Sequence, residues 1–220
     1  MKNLFKKDHV IGIDIGSTSV KIAQFKESPD GLYLVKADIK ELGTYNDDAH
    51  FESEAVIALR HLLKSVNTKS SRVIVSINCP STAIKKIVAP YMPRHELKQG
   101  ITLEAKSYFP FSIENSMLDF EILGDAVEKG IRKYDLLVAV CPINTVQKSL
   151  SILKKAGVRP YSFVTSSYAL SKAAECMNEK DRSGCFIDIG SSHTELISIK
   201  ARNLYSPVRY LYAEMILHAP

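Results

Sequence analysis

Two short segments of this 220-residue chain have the same order of residues, Asp14-Ile15-Gly16-Ser17-Thr18 and Asp188-Ile189-Gly190-Ser191-Ser192. Each segment follows an apolar run and precedes a second β-rich run, so both are predicted to join the two strands of a hairpin. A single segment of this kind is an ordinary hairpin turn. Two copies in the same strand–loop–strand context, one domain apart, indicate a duplicated fold with two facing loops.

The residue types in both loops suit a phosphate ligand. A glycine lets the backbone approach a ligand closely, and successive backbone N–H groups in a turn, with serine and threonine hydroxyls, favour an anion. Lys21 would neutralise charge between terminal phosphates, and Asp14 and Asp188 would face a hydrated Mg²⁺, which prefers oxygen ligands. The predicted nucleotide-binding residues are Asp14, Gly16, Ser17, Thr18, Ser19, Lys21, Asp188, Gly190, Ser191, Ser192 and Thr194.

The hydrophobic pattern predicts a larger α/β domain that contains a smaller α+β module. Three strands, a helix and a fourth strand come first, at Val10–Ile15, Val20–Phe25, Leu32–Ile39, Phe51–Val66 and Arg72–Ile77. The module holds a strand, a helix, two strands around a polar loop with Gly124 and Gly130, and a helix, at Ala83–Ala89, Pro93–Phe109, Met117–Leu123, Tyr134–Val140 and Asn144–Ala156. The remaining elements are Tyr161–Val164, helix Ser166–Met177, Cys185–Ile189, Glu195–Ile199 and Leu204–Leu211.

Composition excludes several classes of function. The net charge of +5 is scattered, without a Lys/Arg cluster interleaved with aromatic residues, so nucleic acid is not expected as a partner. The histidines have no metal-ligand spacing, so a metal site built from protein ligands is not expected. The cysteines form no C-x-x-C pair and lie in or beside apolar runs, which favours buried, reduced thiols in a cytosolic protein. No stretch is long and apolar enough to span a membrane, and no signal peptide is expected.

With the loops placed, a family resemblance becomes visible. The two loops resemble the two phosphate motifs of the actin and sugar-kinase superfamily, and the insert after Pro80 resembles the extra subdomain of FtsA and PilM. The chain resembles the PilM family of type IV pilus assembly proteins through Gly12–Ser17, Val88–Pro93, Glu104–Phe111 and Leu118–Phe120. In the third of these stretches, Tyr108, Phe109 and Phe111 are expected to fill a core and Pro110 to end a helix. The resemblance runs from about Leu4 to Leu204.

The resemblance implies an actin-like (ribonuclease H-like) α/β fold with an inserted FtsA/PilM-type subdomain. The expected domains are a first lobe at 1–80 and 158–181, the inserted subdomain at 81–157, and the start of an incomplete second lobe at 182–220. The family's adenine-binding loop lies beyond position 220, and the last residues resemble nothing in the family. A truncated gene product, a frameshift or a fragment would each explain this, and it is open whether the chain alone binds ATP.

The resemblance also implies a function. The expected protein is a cytoplasmic scaffold that binds ATP and Mg²⁺ and holds the N-terminal cytoplasmic peptide of PilN. It would lie at the inner membrane through that partner, with other pilus inner-membrane assembly proteins and self-association as further expectations. In this superfamily a polar or acidic residue opening the interlobe helix orients the attacking water, and Thr165–Tyr168 offers hydroxyls there without a carboxylate. Hydrolysis is therefore expected to be slow or absent.

Two alternatives remain open at this stage. A small-molecule kinase of the same superfamily would need a catalytic aspartate in a glycine-rich acceptor loop, and none is visible. An FtsA-type cell-division protein would carry a C-terminal amphipathic membrane helix, and that region is not in this sequence.

Overall fold

The computed structural model describes residues 8–77, 79, 81–109, 113–177, 184–199 and 211–218. It leaves out the side chains of 105–108, 174–177, 193, 198–199 and 211–218. The chain divides into two compact units. The first comprises Met1–Asn78 with Thr145–Ser166, and the second comprises Cys79–Asn144 with Ser167–Pro220.

The first unit is built on a five-stranded sheet with the strand order β3-β2-β1-β4-β8. The first three strands form an antiparallel meander, β4 runs parallel to β1, and β8 runs parallel to β4. The elements of this unit are β1 (His9–Ile15), β2 (Ser19–Ser28), β3 (Gly31–Glu41), α1 (Asp48–Leu63), a 3₁₀ turn (Thr68–Ser70), β4 (Ser71–Ile77), α3 (Ile143–Lys155) and β8 (Ser162–Thr165).

Helices α1 and α3 cover one face of this sheet. Alternate strand residues point to that face and meet the apolar stripe of α1 in a single core. The buried members are Ile11, Ile13, Val20, Ile22, Ala55, Val56, Ala58, Leu59, Leu62, Val73, Val75, Ile152, Leu153 and Val158. Asp47 caps α1 by accepting a hydrogen bond from the His50 N–H at 2.7 Å.

The second unit contains two three-stranded sheets, with the orders β5-β7-β6 and β11-β10-β9. Helix α2 packs on the first sheet around Leu97, Ile101, Leu136 and Val138. Leu170 of helix α4 packs with Phe186 and Ile197 on the second sheet. The elements are β5 (Ala83–Pro90), α2 (Arg94–Tyr108), β6 (Ser116–Glu128), β7 (Ile131–Pro142), α4 (Ser166–Met177), β9 (Gly184–Ile189), β10 (His193–Ile199) and β11 (Leu211–His218).

The predicted polar loop between β6 and β7 is wrong. Both strands continue to a two-residue turn at Lys129 and Gly130, whose φ angles of 51° and 77° fit the left-handed turn that joins tight hairpins. Gly124 lies inside β6 beside a register shift, so it marks an irregularity of the strand rather than its end.

Helix α3 also differs from the expectation. The sequence assigned it to the inserted module, but Ile152 and Leu153 are buried in the core of the first unit. The subdomain boundaries given above stay a proposal. The compact units differ from them at α3 and also at α4, because the second unit holds Ser167–Pro220 together with Cys79–Asn144.

Some predictions concern residues outside the described part of the chain. Phe109 is buried in the α2 core as expected, whereas Pro110, Phe111 and the Tyr108 side chain lie outside the described residues. The predicted strand Leu204–Leu211 lies outside them except for its last residue, where β11 begins. Among the described residues, no helix has the length and apolarity needed to cross a membrane.

Candidate functional site

The first predicted phosphate loop joins β1 to β2 as a tight hairpin. Ile15 pairs with Val20, and the Gly16 N–H donates to the Ser19 carbonyl at 2.9 Å, which closes the loop. A Cβ atom on Gly16 would lie 3.1 Å from that carbonyl oxygen, so the glycine is explained by close approach within the loop itself. Ser17 and Thr18 form the tip, while Ser19 is buried.

Residues beyond β3 anchor this loop. The Tyr45 hydroxyl donates to the Ser17 carbonyl at 2.8 Å, and the Leu42 N–H donates to the Thr18 carbonyl at 2.9 Å. In a trans peptide the N–H points opposite to the preceding carbonyl. The Thr18 N–H therefore points away from the Tyr45 hydroxyl, and the Ser19 N–H points away from the Leu42 N–H. The sequence analysis missed both anchors.

Lys21 and Asp14 lie opposite each other on the two strands of this hairpin. The Lys21 Nζ atom is 3.2 Å from Asp14 Oδ2, and both side chains keep contact with solvent. The pair places one cation and one carboxylate beside the tip of the loop. These are the two charges that a phosphate and a hydrated Mg²⁺ would meet.

The second predicted loop joins β9 to β10 in the second unit. Gly190, Ser191 and Ser192 are exposed at its tip, Asp188 is exposed, and Thr194 is half-buried. The loop is therefore open to solvent on the side where its hydroxyl groups lie.

The two hairpins have the same register. Asp14 pairs with Lys21 and Ile15 with Val20; in the second hairpin Asp188 pairs with Glu195 and Ile189 with Thr194. Four residues lie between the last paired positions of each hairpin, Ile15–Val20 and Ile189–Thr194. The repeated geometry agrees with the predicted duplication, whereas the charge opposite the aspartate is reversed, from a lysine to a glutamate.

Glu195 is a residue of this region that the sequence analysis did not single out as a site residue. It is 7% exposed, and its Oε1 atom accepts a hydrogen bond from the Ser167 hydroxyl at 3.3 Å. Ser167 opens helix α4, the segment in which the sequence showed hydroxyl groups but no carboxylate. The fold thus brings a carboxylate from β10 to that segment. The signal in the sequence was its position seven residues after Asp188, which matches Lys21 after Asp14.

The residues of the two loops fit Mg²⁺ and a nucleotide phosphate by their chemistry. Each loop offers hydroxyl groups, an exposed carboxylate and a tight glycine turn, and the first adds a lysine. Within the described ranges, no three or more His, Cys, Asp and Glu side chains gather into a group that could hold a metal ion. Mg²⁺ commonly keeps several of its waters and is held through one or two carboxylates, such as those of Asp14 and Asp188.

Comparison with known proteins identifies the relatives of this fold. The chain resembles a solved PilM–PilN type IV pilus biogenesis complex with a TM-score of 0.71 and 23% identity, over 93% of this chain and 60% of that chain. It also resembles the cytoplasmic domain of EpsL, an inner membrane component of the type II secretion system of Vibrio cholerae, with a TM-score of 0.55 and 8% identity, over 94% of this chain and 71% of that chain.

These likenesses show the fold, which is α/β and actin-like, as the resemblance predicted. The chain spans about 60% of the length of the first of these relatives. The family model of the type IV pilus assembly protein PilM matches residues 12–206, most of the sequence. The chain therefore belongs to the PilM family of type IV pilus assembly proteins.

Proposed function

We propose that this protein is a nucleotide-dependent scaffold of type IV pilus assembly. In this proposal Mg·ATP binds through the two hairpin loops, and the protein holds a short cytoplasmic segment of a membrane partner. The observation that carries it is the shared register of the two hairpins, in a chain of the PilM family.

The first loop would hold the terminal phosphates. Backbone N–H groups at its tip would donate to the anion, and the hydrogen bonds from Tyr45 and Leu42 to the Ser17 and Thr18 carbonyls would hold the tip in place before the anion arrives. Lys21 would lie against the phosphate oxygens. Asp14 would orient that ammonium group and meet a water of the hydrated Mg²⁺.

The second loop would contribute further contacts to the phosphates. Ser191, Ser192 and Thr194 would donate hydroxyl or backbone N–H groups, and Asp188 would meet the hydrated cation as Asp14 does. Glu195, held by Ser167, cannot repeat the role of Lys21 because its charge is opposite. The two loops would therefore act on the phosphates unequally, with the cationic contribution coming from the first.

The partner is proposed from the solved PilM–PilN complex that this chain resembles. We assign to this chain the same class of partner, the N-terminal cytoplasmic segment of PilN. An extended peptide of that kind binds through apolar anchors and main-chain hydrogen bonds. Such a partner would place the protein on the cytoplasmic side of the inner membrane.

A peptide titration tests the proposal. The labelled N-terminal segment of PilN from the same pilus system is titrated with the protein, and fluorescence anisotropy is read with and without Mg·ATP. Binding is expected to be tighter with the nucleotide, because a ligand favours the state it binds best. A scrambled peptide is the control. Equal binding of both peptides, or no effect of Mg·ATP, would count against the scaffold.

A further inference from the structure

The edge strand β3 carries an unusual amount of exposed apolar surface. In the described part of the chain β3 pairs only with β2 and ends the sheet. Its exposed large apolar residues lie on both faces. Tyr33 and Leu34 are consecutive, and each pairs with its own residue of β2. A helix or sheet packed on one face of β3 would leave the apolar side chains of the other face exposed. A strand added at the edge of the sheet would contact the apolar side chains of both faces.

The charges of β3 restrict what that added strand can be. Lys36 and Asp38 lie on the same face, 3.4 Å apart, and both are partly exposed. A second β3 could pair with it in an antiparallel direction around a two-fold axis. In a register centred on Lys36, the two Lys36 ammonium groups would face each other. In a register centred on Asp38, the two Asp38 carboxylates would face each other. A register centred on Ala37 would place Lys36 opposite Asp38 of the second copy, twice.

The apolar residues agree with the same register. Val35 and Ile39 are 54% and 57% exposed and lie two residues on either side of Ala37. Val35 is the extra residue of a bulge, since Leu34 pairs with Phe25 and Lys36 with Gln24. A bulge interrupts the ladder, so the regular new pairing around the axis would cover residues 36–38. Centring on Ala37 would bring Val35 and Ile39 of the second copy next to each other at both ends of this pairing.

We propose that two copies of this chain associate through their β3 strands, antiparallel and centred on Ala37, with Lys36 opposite Asp38 and with Val35 and Ile39 at the ends of the pairing. The five-stranded sheets of the two first units would then form one continuous sheet. This proposal uses only residues of β3, so it does not depend on nucleotide or peptide binding.

Charge reversal tests the register. Sedimentation velocity of the full chain should show a concentration-dependent dimer. Asp38→Lys places a lysine opposite Lys36 of the second copy at two positions. This variant should therefore raise the dimer Kd by about tenfold or more. The double variant Lys36→Asp/Asp38→Lys restores opposite charges and should return the Kd to near its original value. Glu41→Lys makes the same change of charge three register positions further from the axis and is the matched control.

A cross-linking experiment tests the axis directly. Ala37 would face its own copy across the axis, with Cβ atoms about 5 Å apart, within small adjustments of disulfide geometry. Under mild oxidation, Ala37→Cys should give a 37–37 cross-linked peptide by mass spectrometry, and Glu41→Cys should give no 41–41 peptide. A chain that stays monomeric at all concentrations would overturn the proposal, as would equal effects of Asp38→Lys and Glu41→Lys. Circular dichroism checks that each variant is folded.

Discussion

Lys21 lies across the first hairpin from Asp14, with the Nζ and Oδ2 atoms 3.2 Å apart, at the register position that Glu195 occupies opposite Asp188 in the second hairpin. The same backbone arrangement thus carries a cation in one copy and an anion in the other. If the two loops bind one nucleotide, the loss of Lys21 removes the main positive charge of the site.

Lys21→Ala should weaken Mg·ATP binding by about 1.5–3 kcal/mol, the contribution of a hydrogen bond to a charged group. Competition with a fluorescent nucleotide measures this affinity. The control is Lys40→Ala, an exposed lysine on the neighbouring strand β3, which should leave the affinity unchanged. Because the Lys21–Asp14 pair is partly exposed, the melting temperature should change little. Equal affinities for the wild type and Lys21→Ala would show that this lysine is not a nucleotide ligand.

A buried ion pair in the second unit gives a stability prediction. Asp135 is 4% exposed and its carboxylate lies 2.7 Å from Lys86 Nζ, whereas Asp125 and Arg132 form a pair of the same length in solvent. Asp135→Ala should cost about 3 kcal/mol, because it leaves a partly buried ammonium group without its partner. Asp125→Ala should cost less than about 1 kcal/mol. Urea unfolding of both variants makes the comparison, and equal losses would contradict it.

The cap of α1 gives a smaller effect. Asp47→Ala removes the oxygen that accepts from the His50 N–H and should cost about 1 kcal/mol in the free energy of unfolding. Asp48→Ala, the adjacent residue, loses only an exposed ion pair with Lys148 and should cost less than about 0.5 kcal/mol. Thermal unfolding monitored by circular dichroism distinguishes them, and a larger loss for Asp48→Ala would reject the assignment of the cap.

Glu52 should make stability depend on pH in the acid range. The hydrogen bond with Ser151, together with the hydrogen bond and charge of Lys155, holds the pKa of Glu52 below its ordinary 4.5. A carboxyl group whose pKa is lower in the folded state stabilises the fold above its unfolded pKa, and this is lost as the pH falls through the folded value. The difference in unfolding free energy between wild type and Glu52→Gln should therefore be largest above pH 4.5 and shrink below it. A difference that is constant across this range would contradict the assignment.

Local patterns predicted the hairpins, because a strand, a glycine turn and a second strand are neighbours in the sequence. Their common register could be expected from the matching positions of Asp14 and Asp188 and is present in the structure. Contacts over longer separations could not be predicted. Tyr45 reaches Ser17 from 28 positions away, and Ser167 reaches Glu195 over the same separation. Residue type alone does not show which distant groups a fold brings together.

Two other differences have specific physical causes. Glycine favours both turns and irregular strand positions, so Gly124 and Gly130 were interpreted alike although only Gly130 lies in the turn. The apolar stripe of α3 shows that one face is buried but not which core receives it. Ile152 and Leu153 therefore gave no sign that they pack in the first unit.

Hydrogen–deuterium exchange with and without Mg·ATP tests the central claim most directly, because it reads the backbone N–H groups of both loops in one protein. The claim is that the two hairpins bind the phosphates of one nucleotide together. Saturating Mg·ATP should slow exchange at residues 16–19 and at residues 190–193, and Lys21→Ala should weaken both effects at the same nucleotide concentration. Protection of only one loop, or of neither, would contradict the claim.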